Sequence, residues 1–312
     1  MRSNLNNSVH VEGYVFSHSL QNRVSRKGVP FIMGDLNIAT DDQGSNVVPV
    51  HFTYVTETYA KSGKPNQTYA LLNSLIEDSS RTFESCGKDA MKVRVDGDVE
   101  VNDFVTREGE MASPKRIRGS FVHQMTNSIA ENPATFDVDM LIAAATEREV
   151  EDGDDYMNLR GYVFNFRGDL LPVDFNIRSK GGMLYFGNQD ISNSSPLFTH
   201  IKGNIVSATI ETRKEEESAF GEPIVNVTTR NVRTWDVTWA AAEPYEFGDG
   251  GDMSKDELKQ KLTERETYLA EVKKNHEDYM ASRNGGQNFA PATTAVSSTD
   301  TTNGYDDDDF AF

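Results

Sequence analysis

Two kinds of side chain in this sequence carry usable chemistry: aromatic rings on strand-like runs, and short clusters of cations between those runs. Tyr14 and Phe16 follow Val11-Glu12-Gly13, and Tyr162 and Phe164 follow Leu159-Arg160-Gly161. Val9, Val11, Gly13 and Val15 share one face at period two, so Tyr14 and Phe16 fall on the other. Phe52 and Tyr54 share a face of His51-Phe52-Thr53-Tyr54-Val55. The cations form two clusters, Arg23, Arg26, Lys27 and Lys115, Arg116, Arg118, with Arg94 and Arg107 on a strand and a loop of the same half and Arg167 on a loop of the second half. Flat rings stack on nucleic-acid bases of any sequence at about 1–3 kcal/mol each, and loop cations pair with phosphates. The same residues have bland readings, namely rings packed against a neighbouring loop or barrel and cations on solvated loops.

Catalytic patterns are missing. The six histidines, at 10, 18, 51, 123, 200 and 276, show no HExxH spacing, and the chain holds no P-loop and no GxSxG. Cys86 is the only cysteine, so neither an intramolecular disulfide nor a cysteine zinc site forms within one chain, and a reducing cytoplasm is expected. Asp137-x-Asp139 is a candidate metal pair, but Asp137 recurs as Asp236 on a strand, which favours an exposed-face role. The expectation is a protein without cofactor or metal that is not an enzyme. No apolar run approaches the roughly 18 residues that span a bilayer, and Met1 to Asn7 has no apolar signal core.

The formal charge is -18, awkward for a partner of phosphates. Residues 247–312 hold 14 acidic and 7 basic side chains, which leaves -11 on residues 1–246. Phosphate binding therefore needs local basic patches.

Three blocks recur in order: Val11 to Phe16 with Leu159 to Phe164, Val95 to Val99 with Ile201 to Ile205, and Thr135 to Val138 with Thr234 to Val237. A period of roughly 100–150 residues implies two duplicated domains rather than a solenoid. Each block reads as strand, and Asp41 to Asn46, Lys61 to Pro65 and Arg107 to Glu110 supply turns. A helix is expected over about Asn66 to Ser79, and none is evident in the shorter second copy. Trp235 and Trp239 are read as core because they take the places of Phe136 and Met140. Ser254 with Glu257 forms a capping-box spacing ahead of Leu258, Leu262, Leu269 and Val272. The fold class is mainly β: two OB-like Greek-key barrels in tandem, 8–148 and 156–246, a helix over 253–283, and a disordered acidic tail over 284–312.

In order, these features resemble the bacterial and phage-type single-stranded DNA-binding protein family. Val11-Glu12-Gly13 leads into a basic loop, Gly34 to Thr40 resembles the second strand, and His51 to Val55 the third. Val93-Arg94-Val95-Asp96-Gly97 resembles the fourth. Phe104, seven residues beyond that glycine, stands where the family often has a base-stacking aromatic, while the second copy has Ile210 there. Asp306-Asp307-Asp308-Asp309-Phe310-Ala311-Phe312 looks like the family's acidic, partner-docking tip, with Ala311 where proline is usual. These departures fit a viral or mobile-element version.

The resemblance implies a cytoplasmic protein that binds and protects single-stranded DNA during replication, recombination or repair. The resemblance further implies that Asp306, Asp307, Asp308, Asp309, Phe310 and Phe312 recruit replication, recombination or repair proteins. No membrane partner is expected, and self-association into a homo-oligomer is left open. The alternative is an assembly protein, such as a virion or scaffold component built from two barrels with no nucleic-acid role.

Overall fold

The computed structural model describes residues 5–149, 155–216, 224–248 and 250–284. The first barrel is built from β1 (Asn7–His18), a short β2 (Gln21–Val24), β3 (Pro30–Ala39) and β4 (Val47–Thr56), then the helices α1 (Gln67–Glu77) and α2 (Phe83–Cys86). β5 (Lys92–Val101), the two-residue β6 (Phe104–Val105) and β7 (Met111–Ala112), and β8 (Lys115–Gln124) complete it. β1 pairs with β3 and β5, β3 with β4, β5 with β8, and β8 returns parallel to β4 at Val50 and Ile117. That closed ring, with a helix between its third and fourth strands, is the OB arrangement. Alternation fills it: Val11, Val15, Leu36, Ile38, Val50, Phe52 and Val93 are fully buried. The helix α1 starts at Asn66, whose side chain accepts from the Thr68 amide, and seats Leu72 and Leu75 in the core.

The second barrel uses β9 (Ala134–Arg148), β10 (Tyr156–Phe164), β11 (Leu170–Ile177), α3 (Lys180–Gly187), β12 (Leu197–Glu216) and β13 (Ile224–Ala240). β9 pairs with β10 and β12, β10 with β11, β12 with β13, and β13 runs parallel to β11 at Asp236 and Asn176. The ring has the same strand order as the first. Its helix, which the sequence reading did not expect, starts at Ser179, whose hydroxyl accepts from the Gly182 amide. Gly181 and Gly182 weaken its helical signature.

The repeat is therefore real in architecture but phased differently from the sequence blocks. Gly97 and Gly203 are equivalent, each on the fourth strand at a bulge against the fifth. Phe136 and Trp235 are not equivalent. They sit on the first and fifth strands of the same barrel and touch, with ring centroids 5.6 Å apart. Likewise Val11 to Phe16 lies on a first strand, whereas Leu159 to Phe164 lies on a second. Apolar alternation around a glycine is common to any tightly crossed barrel strand, so those two matches do not fix strand order. β9, which the sequence places at the end of the first unit, is the opening strand of the second ring and also pairs with β1.

That shared pairing makes one sheet through both barrels. The Asn7 side chain reinforces it by donating to the carbonyls of Val99 and Phe164, both at 3.0 Å. The helix α4 (Lys255–Asn284) begins with the expected capping box, Ser254 and Glu257 bonding reciprocally. Its Leu258 and Val272 are buried, and Arg265 reaches Asp103 of the first barrel at 2.6 Å.

Gly203 shows how tight the strand crossing is. A Cβ there would lie 2.1 Å from the Asp236 carbonyl oxygen and 2.5 Å from the Phe136 ring. Gly203→Ala is expected to destabilise the chain by about 2–3 kcal/mol, a loss of roughly 3–5 °C in Tm for a chain of this size. Calorimetry checks it, and an unchanged Tm would mean that the crossing is looser than described.

Candidate nucleic-acid interface

In the first barrel, the exterior of β3 and β4 presents an aromatic pair. The rings of Phe31 and Tyr54 lie 4.5 Å apart, tilted by 35°, and both are half-buried. Beside them projects the β2–β3 hairpin, all four residues of β2 being exposed. Arg23 stands directly opposite Phe31 in that ladder, so both lie on one side of the sheet. Arg26 and Lys27 occupy the turn, which Ser25 closes by accepting from the Gly28 and Val29 amides. All three cations are exposed, and Val24 and Val29 expose apolar surface on the same hairpin. Elsewhere on this barrel, β8 exposes Phe121 at 44%.

The loop after the fourth strand forms the β6–β7 hairpin. Phe104 is half-buried at its root, opposite Ala112, and Arg107 is exposed near its tip. α4 braces this root through the buried Arg265–Asp103 pair.

The second basic cluster is held differently. Arg116 bonds Glu100 at 2.7 Å, and Arg118 grips Asp98 with two nitrogens, at 2.9 and 2.6 Å. Lys115 bonds Asp174 of the second barrel at 2.9 Å. Burial raises the Asp98 pKa despite Arg118, and burial lowers that of Lys115 despite Asp174. These cations are thus engaged in internal pairs, two of them across the β5–β8 ladder and one as a strut between barrels. Arg94 is exposed but bonds Asp96 at 3.2 Å.

Several expected ring contacts fall inside the protein. Phe52 and Phe164 are fully buried and present no face to a ligand. Tyr14 is buried, packs on Phe83 at 5.6 Å, and donates its hydroxyl to Asp42; burial raises its pKa. Phe16 stacks on the other side of this small cluster, 6.0 Å from Phe83. Tyr162 is half-buried beside a groove between the barrels. Arg167 is exposed on the β10–β11 turn, over the ring of Phe166 at 5.2 Å. The tip, Asp306 to Phe312, lies outside the described residues.

Trp235 is buried as expected, but Trp239 is 48% exposed. Opposite Lys202 and Gly203 the β13 strand carries an extra residue, Thr238, and that bulge turns Trp239 outward. Sequence periodicity cannot show such a reversal. Reasoning from sequence also passed over Phe31, Phe121 and Arg160. For Phe31 the signal was present, an aromatic at the start of a strand just after a basic turn.

Asp137 and Asp139 do not form a metal pair. His200 bridges them, Nε2 to Asp137 at 2.9 Å and Nδ1 to Asp139 at 2.6 Å. Lys202 also binds Asp137, and the Tyr245 hydroxyl and Asn6 amide also donate to the buried Asp139. Among the described residues, no group of three or more His, Cys, Asp or Glu side chains is placed to hold a metal ion. Among the same residues, no helix is long and apolar enough to cross a membrane.

A tandem of closed OB-type barrels joined through one sheet and braced by a terminal helix is the class that these strand pairings define. The chain belongs to the YorF family, whose model matches residues 6–275. No curated protein matches it. Among solved structures it is similar to the single-stranded DNA-binding protein from Thermus aquaticus. A deletion mutant of that protein gives 12% identity and a TM-score of 0.46, over 79% of this chain and 98% of that one. The wild type gives 13% and 0.45, over 77% and 93%.

Proposed function

We propose that the chain binds single-stranded DNA without strong sequence preference, as a non-catalytic protein of replication, recombination or repair. The observation that carries this reading is the half-buried Phe31–Tyr54 pair on β3 and β4, beside a hairpin whose Arg23, Arg26 and Lys27 are exposed. Half-exposed rings offer a face to bases, and the hairpin offers cations to the phosphates that flank them. Phe104 and Arg107 extend the same barrel's contribution, Arg94 lies on its fourth strand, and Tyr162 and Arg167 belong to the second barrel's share. The acidic tip recruits partner proteins.

A gel shift with a dT oligomer, set against duplex DNA and RNA of equal length, tests the reading. The expected result is a shifted single strand whose affinity falls as salt rises, because phosphate contacts release counterions. Absence of any shift at low salt favours the assembly reading instead.

A further inference from the structure

A groove of about 510 Å³ opens between the β7–β8 junction of the first barrel and the β9–β10–β11 face of the second. Within it, Arg160 on β10 is exposed and stands directly opposite Asp174 on β11. That neighbour would ordinarily neutralise it. Asp174 is instead taken by Lys115 from the other barrel, at 2.9 Å, with the Asn158 amide at 3.4 Å. Lys115 is fixed there, also bonding the Asp174 carbonyl and lying over the rings of Phe175 and Trp235 at 5.4 and 5.7 Å. Arg160 consequently has no carboxylate partner among the described residues, whereas Arg116 and Arg118 each have one.

The floor beside Arg160 is shaped by a bulge. Arg160 pairs with Ala144 and Gly161 with Ile142, leaving Ala143 as the extra residue on β9. The small side chains Ala143, Ala144 and Gly161 leave space next to the half-buried ring of Tyr162, with Pro172 as a wall. Lys115, Arg160 and Asp174 give the groove a positive balance on a body that is otherwise acidic.

We propose that this groove holds one nucleotide of a bound single strand, its phosphate on Arg160 and its base against Tyr162. The inference rests on the single-strand reading above, and it makes the second barrel a binding partner of the first rather than a support. The site needs both barrels, because Lys115 keeps Asp174 away from Arg160.

The test uses the full chain and a dT oligomer of about 30 nucleotides, since an OB fold covers up to ~16. Arg160→Ala is expected to weaken binding about tenfold, the scale of one charge-assisted contact. It should lower the salt slope by about 0.7, the share of one phosphate on a single strand. Arg160→Glu should weaken binding further, and because Arg160 is exposed both variants should keep the wild-type Tm. An oligomer carrying 5-iodouridine should crosslink under ultraviolet light to the peptide that contains Tyr162. If both variants bind like the wild type and crosslinks fall only on the first barrel, the groove is not a nucleotide site, while the reading of the chain as a single-strand binder stands. If the wild type itself does not bind the oligomer, both fall together.

Discussion

Replacing Arg23, Arg26 and Lys27 together by glutamate should reduce affinity for a dT oligomer by roughly a hundredfold or more at low salt. The three cations sit on a hairpin whose first strand is wholly exposed, so they contribute little to the core. Charge reversal there adds repulsion to the loss of contacts, on a body that already carries -11 over residues 1–246. The loss should shrink as salt rises, and the variant's salt slope should be flatter by about 0.7 for each phosphate contact removed. The aromatic pair should respond differently. Tyr54→Ala removes a stacking surface worth about 1–3 kcal/mol per base, and that loss should be nearly independent of salt. Fluorescence titration at several salt concentrations separates the two terms. Unchanged affinity in both variants would move the interface off the β3–β4 face.

The split between what the sequence shows and what it hides follows from the range of each interaction. α1 and α4 were legible because their signals are local: Asn66 caps the one, and Ser254 with Glu257 the other, within three residues. Strand character was legible from alternation, as at Val9, Val11 and Val15. Strand order was not, because it depends on pairings between distant segments, such as β9 with both β1 and β12. For the same reason the cluster at Lys115, Arg116 and Arg118 looked like an open basic loop. Its partners lie 59, 16 and 20 residues away, and only the strand register brings them within reach. Tyr14 looked outward by period two, yet α2 and the segments around Ala39 and Ala90 cover it. Conversely, the Arg23 cluster stayed exposed because its hairpin turns away from every neighbouring strand but β3.

Deleting residues 306–312 should abolish capture of partner proteins while leaving the barrels folded. The deleted segment lies beyond both barrels and beyond α4, which runs to Asn284. Between Asn284 and the tip the chain has no basic residue, so no neighbour in sequence neutralises Asp306 to Asp309. Four adjacent carboxylates repel one another and attract a basic groove from a distance. Phe310 and Phe312 would then fill apolar pockets of the partner. On the proposed reading the same carboxylates would compete with DNA for the exposed cations of the β2–β3 hairpin. Truncation should therefore not weaken DNA binding, and should strengthen it by a few-fold at low salt, where such competition is least screened. Phe312→Ala separates the two roles. It removes an aromatic anchor but keeps every aspartate, so partner capture should be lost while competition with DNA persists. A pull-down from bacterial lysate with the intact, truncated and Phe312→Ala chains, run beside an oligomer titration of each, gives both readouts. Retention of the same partners by all three would leave the tip with a solubilising role alone.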